Sequence, residues 1–102
     1  MALVEISVAP LGTGTPGVSK YVADCVEIVR EAGLDYQLTP MGTVIEGSVD
    51  ELFPVLLRMH ESPFAKGAVR VSTLIKIDDR RDRASHDMAG KVSSVVAHLD
   101  KR

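Results

Sequence analysis

Tyr36-Gln37-Leu38-Thr39-Pro40-Met41-Gly42-Thr43-Val44-Ile45-Glu46 is the stretch that decides how this chain folds. Two short runs, Tyr36–Thr39 and Thr43–Glu46, flank Pro40-Met41-Gly42, whose proline and glycine suit a tight turn. The segment predicts a hairpin, with its two strands as antiparallel neighbours. Whether Thr43 or Val44 faces the helices stays open at this level, because the turn geometry sets the parity.

Upstream, Leu3-Val4-Glu5-Ile6-Ser7-Val8 alternates, with Val4, Ile6 and Val8 on one face and Leu3, Glu5 and Ser7 on the other. Val18, Tyr21, Val22, Cys25, Val29 and Ala32 then recur at helical spacing up to Gly33, a C-terminal stop. Downstream, Ser48-Val49-Asp50-Glu51 has the capping-box pattern and leads into Leu52, Phe53, Leu56, Leu57 and His60. Pro54 lies past the first turn and is expected to bend this helix or delay its start. Val69 to Ile77 reads as the strongest strand, with Val71, Thr73, Ile75 and Ile77 sharing a face. Met88, Val92, Val95, Val96 and Leu99 form the stripe of a last helix, with Ser85 as its expected cap.

The order is β-α-β-β-α-β followed by a helix. Two βα units around a hairpin give the α+β class: a ferredoxin-like sandwich with a four-stranded antiparallel sheet and both main helices on one face. One such domain is expected to span residues 1–102, the length suiting a single modest core.

The same hairpin settles the reading of Gly12-Thr13-Gly14-Thr15-Pro16-Gly17, which matches G-x-G-x-x-G letter by letter. A dinucleotide fold needs a parallel sheet and an acid closing its second strand, whereas Asp35 begins the second strand here. No Gly-Lys-Ser/Thr follows, so the phosphate-loop pattern also fails. The cluster reads as a tight bend before a helix, whose first N–H groups could form a polar rim for a small ligand.

Composition narrows the function further. Hydrophobic residues are 45% and charged residues 25% of the chain, with a formal charge of −2, which offers no general attraction to nucleic acid or anionic membranes. No apolar run approaches the ~20 residues of a membrane helix. The N-terminus lacks a signal-peptide pattern, so a cytoplasmic location is expected. Cys25 is the one cysteine, which excludes an internal disulfide, and it sits on an apolar helical stripe as a core residue would. His60, His86 and His98 have no metal-like spacing, and His60 and His98, late in helices, read as solvated or capping groups. No nucleophile motif is present. Only four aromatic residues occur, three of them in or next to helices, which argues against base stacking on the sheet. The expectation is a protein that is not an enzyme and carries no cofactor or metal.

Glu46, Arg70, Lys76 and Asp78 admit two readings: cross-strand charge pairs on a solvated sheet face, or the lining of a pocket or subunit interface.

Around these residues the sequence resembles the small ferredoxin-like thiamine-binding proteins. The resemblance is carried by Pro10-Leu11-Gly12-Thr13-Gly14, Val18-Ser19-Lys20-Tyr21-Val22-Ala23, Gly33-Leu34-Asp35-Tyr36, Pro40 to Gly47, and Arg70 to Asp82, over about residues 3 to 83. Pro16-Gly17 in the first loop is a mild departure. The resemblance implies non-enzymatic binding of thiamine or its hydroxymethylpyrimidine moiety, and a homodimer or homotetramer joined through its sheets. Thiamine presents an aminopyrimidine with donor and acceptor groups and a cationic thiazolium, which hydroxyls and carboxylates can serve. Thr43 and Glu46 are the first candidate ligand residues, followed by Ser7, Ser19, Ser72 and Asp78. The rival reading is a structural or regulatory homo-oligomerisation module with no small-molecule ligand.

Overall fold

The computed structural model describes residues 1–102, in the order β1 (Ala2–Pro10), α1 (Ser19–Glu31), β2 (Asp35–Thr39), β3 (Gly42–Gly47), α2 (Val49–Ala65), β4 (Val71–Asp79) and α3 (Met88–Asp100). The strands form one antiparallel sheet in the order β2-β3-β1-β4. This is the ferredoxin-like α+β arrangement that the hairpin predicted.

Alternation in β1 sorts the two faces. Val4, Ile6 and Val8 turn toward α1 and α2 and join Ile45, Cys25, Val29, Leu52, Val55, Leu56 and Met59 in the core. The registers Val4↔Ile45 and Ile6↔Thr43 put Thr43 on this helix-covered face. Leu3↔Glu46 and Leu3↔Asp78 put Glu46 and Asp78 on the opposite, open face. His60 is drawn inward from its expected solvated position: its Nδ1 lies 2.7 Å from Thr73 Oγ1, tying α2 to β4.

α1 ends where expected, with Gly33 at φ +73. Ser48 caps α2, accepting from the Glu51 N–H at 3.3 Å and donating to its carboxylate at 2.8 Å. Pro54 does not delay the helix, which runs from Val49 with Pro54 inside it. Pro54 and Asp50, the residue whose carbonyl it leaves free, are both exposed, so water can satisfy that carbonyl while the buried stripe holds the helix.

Three local expectations change. β4 begins at Val71, not Val69, and runs on to Asp79, because its ladder with β1 spans Pro10↔Val71 to Ala2↔Asp79. Gly42 belongs to β3 and pairs with Thr39, which leaves Pro40-Met41 as the whole turn. Asp87, not Ser85, caps α3, accepting from the Gly90 N–H at 2.6 Å, since it directly precedes the first helical residue.

At Gly42, in β3, a Cβ would stand 2.9 Å from the Ile6 carbonyl oxygen of β1. That atom is backbone in the central strand and cannot rotate away. Gly42→Ala is expected to cost about 1–3 kcal/mol, the usual penalty for overpacking, measured as a lowered midpoint in urea unfolding. An unchanged midpoint would mean that β3 moves aside freely.

Candidate functional site

The central strand outruns one of its neighbours. β1 pairs with β4 as far as Pro10↔Val71, but its ladder with β3 stops at Ile6↔Thr43. Past that point β1 has no β3 partner: the Leu11 N–H bonds to the Arg70 carbonyl, so Ser7 and Ala9 turn their backbone groups to β4 and Val8 turns its own to the open β3 side. A cavity of about 160 Å³ occupies the gap, between this edge, the Thr39–Gly42 turn, α1 and α2.

Its walls are largely apolar, from Ile6, Val8, Val18, Val22, Leu38 and Met59. Thr43 lies at the wall, only 3% exposed, and no protein group hydrogen-bonds its hydroxyl. Thr39 fixes the turn above: its hydroxyl donates to the Gly42 carbonyl at 2.9 Å and accepts from the Met41 and Gly42 N–H groups at 3.3 and 3.2 Å. Cys25 is the one ionisable side chain in the lining. Burial, with the Asp24 carboxylate beside it, pushes its thiol up to about 11, and the thiol donates to the Met59 carbonyl at 3.4 Å. It is therefore a protonated, engaged group at neutral pH.

The six candidate ligand residues fall in three places. Thr43 and Ser7 both border this cavity, but Thr43 is on the helix-covered face while Ser7 shares the open-face parity of Leu3 and Glu5. Ser19, at the start of α1, lines an exposed groove that continues from the cavity past Val18, Val22, Leu38 and Thr39. Glu46, Asp78 and Ser72 lie on the open face, Ser72 opposite Ala9.

On that face the two carboxylates hold α3. Glu46 accepts from the Met88 N–H at 2.8 Å, at the first residue of the helix. Asp78 takes the Lys91 ammonium one turn further on. His86, 4% exposed, brings Nε2 to 3.3 Å from the same carboxylate, off the hydrogen-bonding line, so both ring nitrogens lack a partner. The Lys91 hydrogen bond, aided by its charge and by His86, holds the Asp78 carboxyl below its ordinary value of 3.8. Of the four charges read as cross-strand pairs or as the lining of a pocket or interface, Asp78 pairs with Lys91 of the following helix and Glu46 holds that helix's backbone.

Sequence reasoning missed the unpaired edge of β1 and the inward position of His86. The first had a readable trace, since the alternation of β1 covers more residues than that of Thr43–Glu46. The second had none, because His86 lies outside any periodic stretch.

The family model for thiamine-binding proteins matches residues 4–96. The chain belongs to this family. A Bacillus subtilis relative, a UPF0045 protein, is 48% identical over 97% of this chain and 98% of its own length. The crystal structure of a hypothetical protein from Methanocaldococcus jannaschii is similar at TM-score 0.83 and 32% identity, covering 93% of this chain and 95% of its own. A Thermotoga maritima structure, named for thiamine biosynthesis or salvage, matches at TM-score 0.74 and 21% identity over 92% of this chain and 97% of its own, a likeness of fold.

Glu46→Ala is expected to fray the start of α3, costing about 0.5–2 kcal/mol locally as for other lost caps. Faster amide exchange at Met88 and Ala89 would register it, while the core amides of Val4 and Ile45 stay protected. The Asp78 contribution has the sign of a lowered carboxyl: present in full above 3.8 and lost as pH falls through its own lower value. The protection factor of the Lys91 amide, which takes out the intrinsic pH dependence of exchange, should therefore be constant from neutrality to about pH 5 and fall only in acid. A fall already at pH 6 would contradict this pairing.

Proposed function

We propose that this chain binds thiamine or its hydroxymethylpyrimidine moiety without converting it, as a single ferredoxin-like domain in the cytoplasm. The observation that carries the reading is the unpartnered Thr43 hydroxyl in an apolar cavity that also borders an unpaired strand edge. Family membership supports it independently. A dry cavity of about 150 Å³ accepts benzene, so the volume suits one six-membered ring. An aminopyrimidine is such a ring with a donor–acceptor edge, the pattern that a free strand edge presents in return. The lining offers no group to take or give a proton near neutrality, which favours a carrier, buffer or sensor over a catalyst.

Thr43 is assigned to the ring and Ser19 to the mouth, while Ser7, Glu46, Ser72 and Asp78 serve the open face. Calorimetry tests this directly. Thiamine should release heat and be recovered unaltered. Thr43→Val should weaken binding by about 0.5–1.5 kcal/mol with the fold retained. Equal affinity in that variant would remove Thr43 from the site, and a chemically altered product would make the protein an enzyme.

The open face supports the oligomer. α3 has no buried residue, and its stripe of Val92, Val95, Val96 and Leu99 is 45–61% exposed. Leu74, on the same sheet face, is 72% exposed. Unpartnered apolar surface of this kind suits a second copy in closed two-fold symmetry, giving a homodimer or a homotetramer built from two dimers. Light scattering across a dilution series should give a multiple of 11.0 kDa. Monomer mass throughout would defeat the interface. Self-association without any thiamine binding would leave the oligomerisation module as the function.

A further inference from the structure

β4 closes the sheet on one side, and no strand pairs with its outer edge. The Leu11 N–H bonds to the Arg70 carbonyl, and Ser72, Leu74, Lys76 and Asp78 follow Arg70 at the period of two. Backbone groups alternate sides in an antiparallel ladder, so these residues turn theirs to β1. Val71, Thr73, Ile75 and Ile77 therefore turn their N–H and C=O groups outward. The strand is nine residues long, in unbroken register with β1 and without proline. A long, regular edge of this kind is a template for another strand.

α2 extends the edge into an apolar face. Arg58 pairs with Glu31 and Lys66 with Asp24, so one side of α2 looks toward α1. His60 reaches Thr73, so the opposite side looks over β4. Phe53, Leu57 and Phe64 share the His60 side at helical spacing, and they are 52, 61 and 38% exposed. On the same face of the sheet, Ile75 and Ile77 of β4 stay 41 and 39% exposed, although they sit opposite the core residues Ile6 and Val4.

We propose that this edge and the α2 stripe take a second copy of the chain, β4 against β4, giving one continuous eight-stranded sheet. Charge complementarity selects this occupant and its register. With Leu74 on the two-fold axis, Arg70 stands opposite Asp78 at both ends, and Ser72 stands opposite Lys76. Arg70 is exposed and no carboxylate of its own chain pairs with it. Lys91 and His86 both meet Oδ2 of Asp78, which leaves Oδ1 for the incoming guanidinium. Thr73 then meets Ile75 and Val71 meets Ile77, the outward pairs that exchange two hydrogen bonds each. Moving the axis to Thr73 would set Arg70 against Lys76, and moving it to Ile75 would set Arg70 against Arg80, like charges in both cases. The same two-fold keeps both copies of α2 on one face, where Phe53, Leu57 and Phe64 meet their counterparts. This contact needs no ligand and lies on a different surface from α3. Together with a contact across the open face, it supplies the second two-fold that a homotetramer requires.

The test is amide exchange of the full chain, read beside its mass by light scattering. At high concentration the mass should be a multiple of 11.0 kDa, and Val71, Thr73, Ile75 and Ile77 should exchange about tenfold more slowly than in a dilute monomeric sample. Ser72, Leu74 and Lys76 bond to β1 and should be protected in both. Leu57→Glu, at an exposed site on the helix side, should lower the mass and release the four outward amides. Protection retained at Ser72, Leu74 and Lys76 would show that this variant is folded. Arg70→Glu should act in the same way, by setting like charges at both ends of the register. An assembled wild-type chain whose outward amides exchange freely would overturn the edge pairing and leave the open face as the interface. Outward protection that survives both variants would overturn it as well. Monomer mass at every concentration would defeat both interfaces and leave the edge to a strand of another protein.

Discussion

β1 has nine residues and β3 has six, and the ladder between them ends at Ile6↔Thr43. This mismatch is the constraint on which the rest of the site depends. If β3 were as long as β1, Val8 would find a strand partner on that side and the gap would be filled. The Pro40-Met41 turn prevents it by sending the chain back into β2, and the Thr39 hydroxyl locks that turn through three hydrogen bonds. The gap is thus built from ordinary hairpin chemistry and not from a strained segment.

β3 also divides the labour between the two faces. Thr43 and Ile45 turn toward the helices, one to the cavity and one to the core. Val44 and Glu46 turn to the open face, where Glu46 holds α3 from 2.8 Å. Residues one apart in sequence therefore serve opposite sides of the sheet, as the period of two requires. α3 is held mainly at its start, by Glu46 and Asp78, and its apolar stripe remains uncovered. Polar anchoring at one end with apolar exposure along the length presents the helix as a surface.

Much of the fold was legible because periodicity carries it. The alternation of Val4, Ile6 and Val8, the helical spacing of Val22, Cys25 and Val29, and the capping box at Ser48 each needed only local chemistry. What was lost depended on partners distant in sequence. β4 ends at Asp79 because β1 reaches back to Ala2, a fact about the ladder and not about residues 69–79 themselves. Thr43 and Glu46 looked like one site because they are three residues apart, and strand parity separates them. Asp78 pairs with Lys91 of α3, and His86, in the loop before that helix, stands beside it, a neighbourhood that residues 70–78 alone do not reveal.

The chemistry of the cavity follows from the same placement. Cys25 is its one ionisable side chain, and burial keeps the thiol protonated with a value near 11. The carboxylates that might have worked on a ligand are on the other face, occupied with α3. What remains at the cavity is a hydroxyl, a strand edge and apolar walls, the inventory of a recognition site in which a few polar groups orient a flat ring. At its mouth the cavity adjoins a groove along α1, a helix that starts without a side-chain cap and without an acid in its first turn.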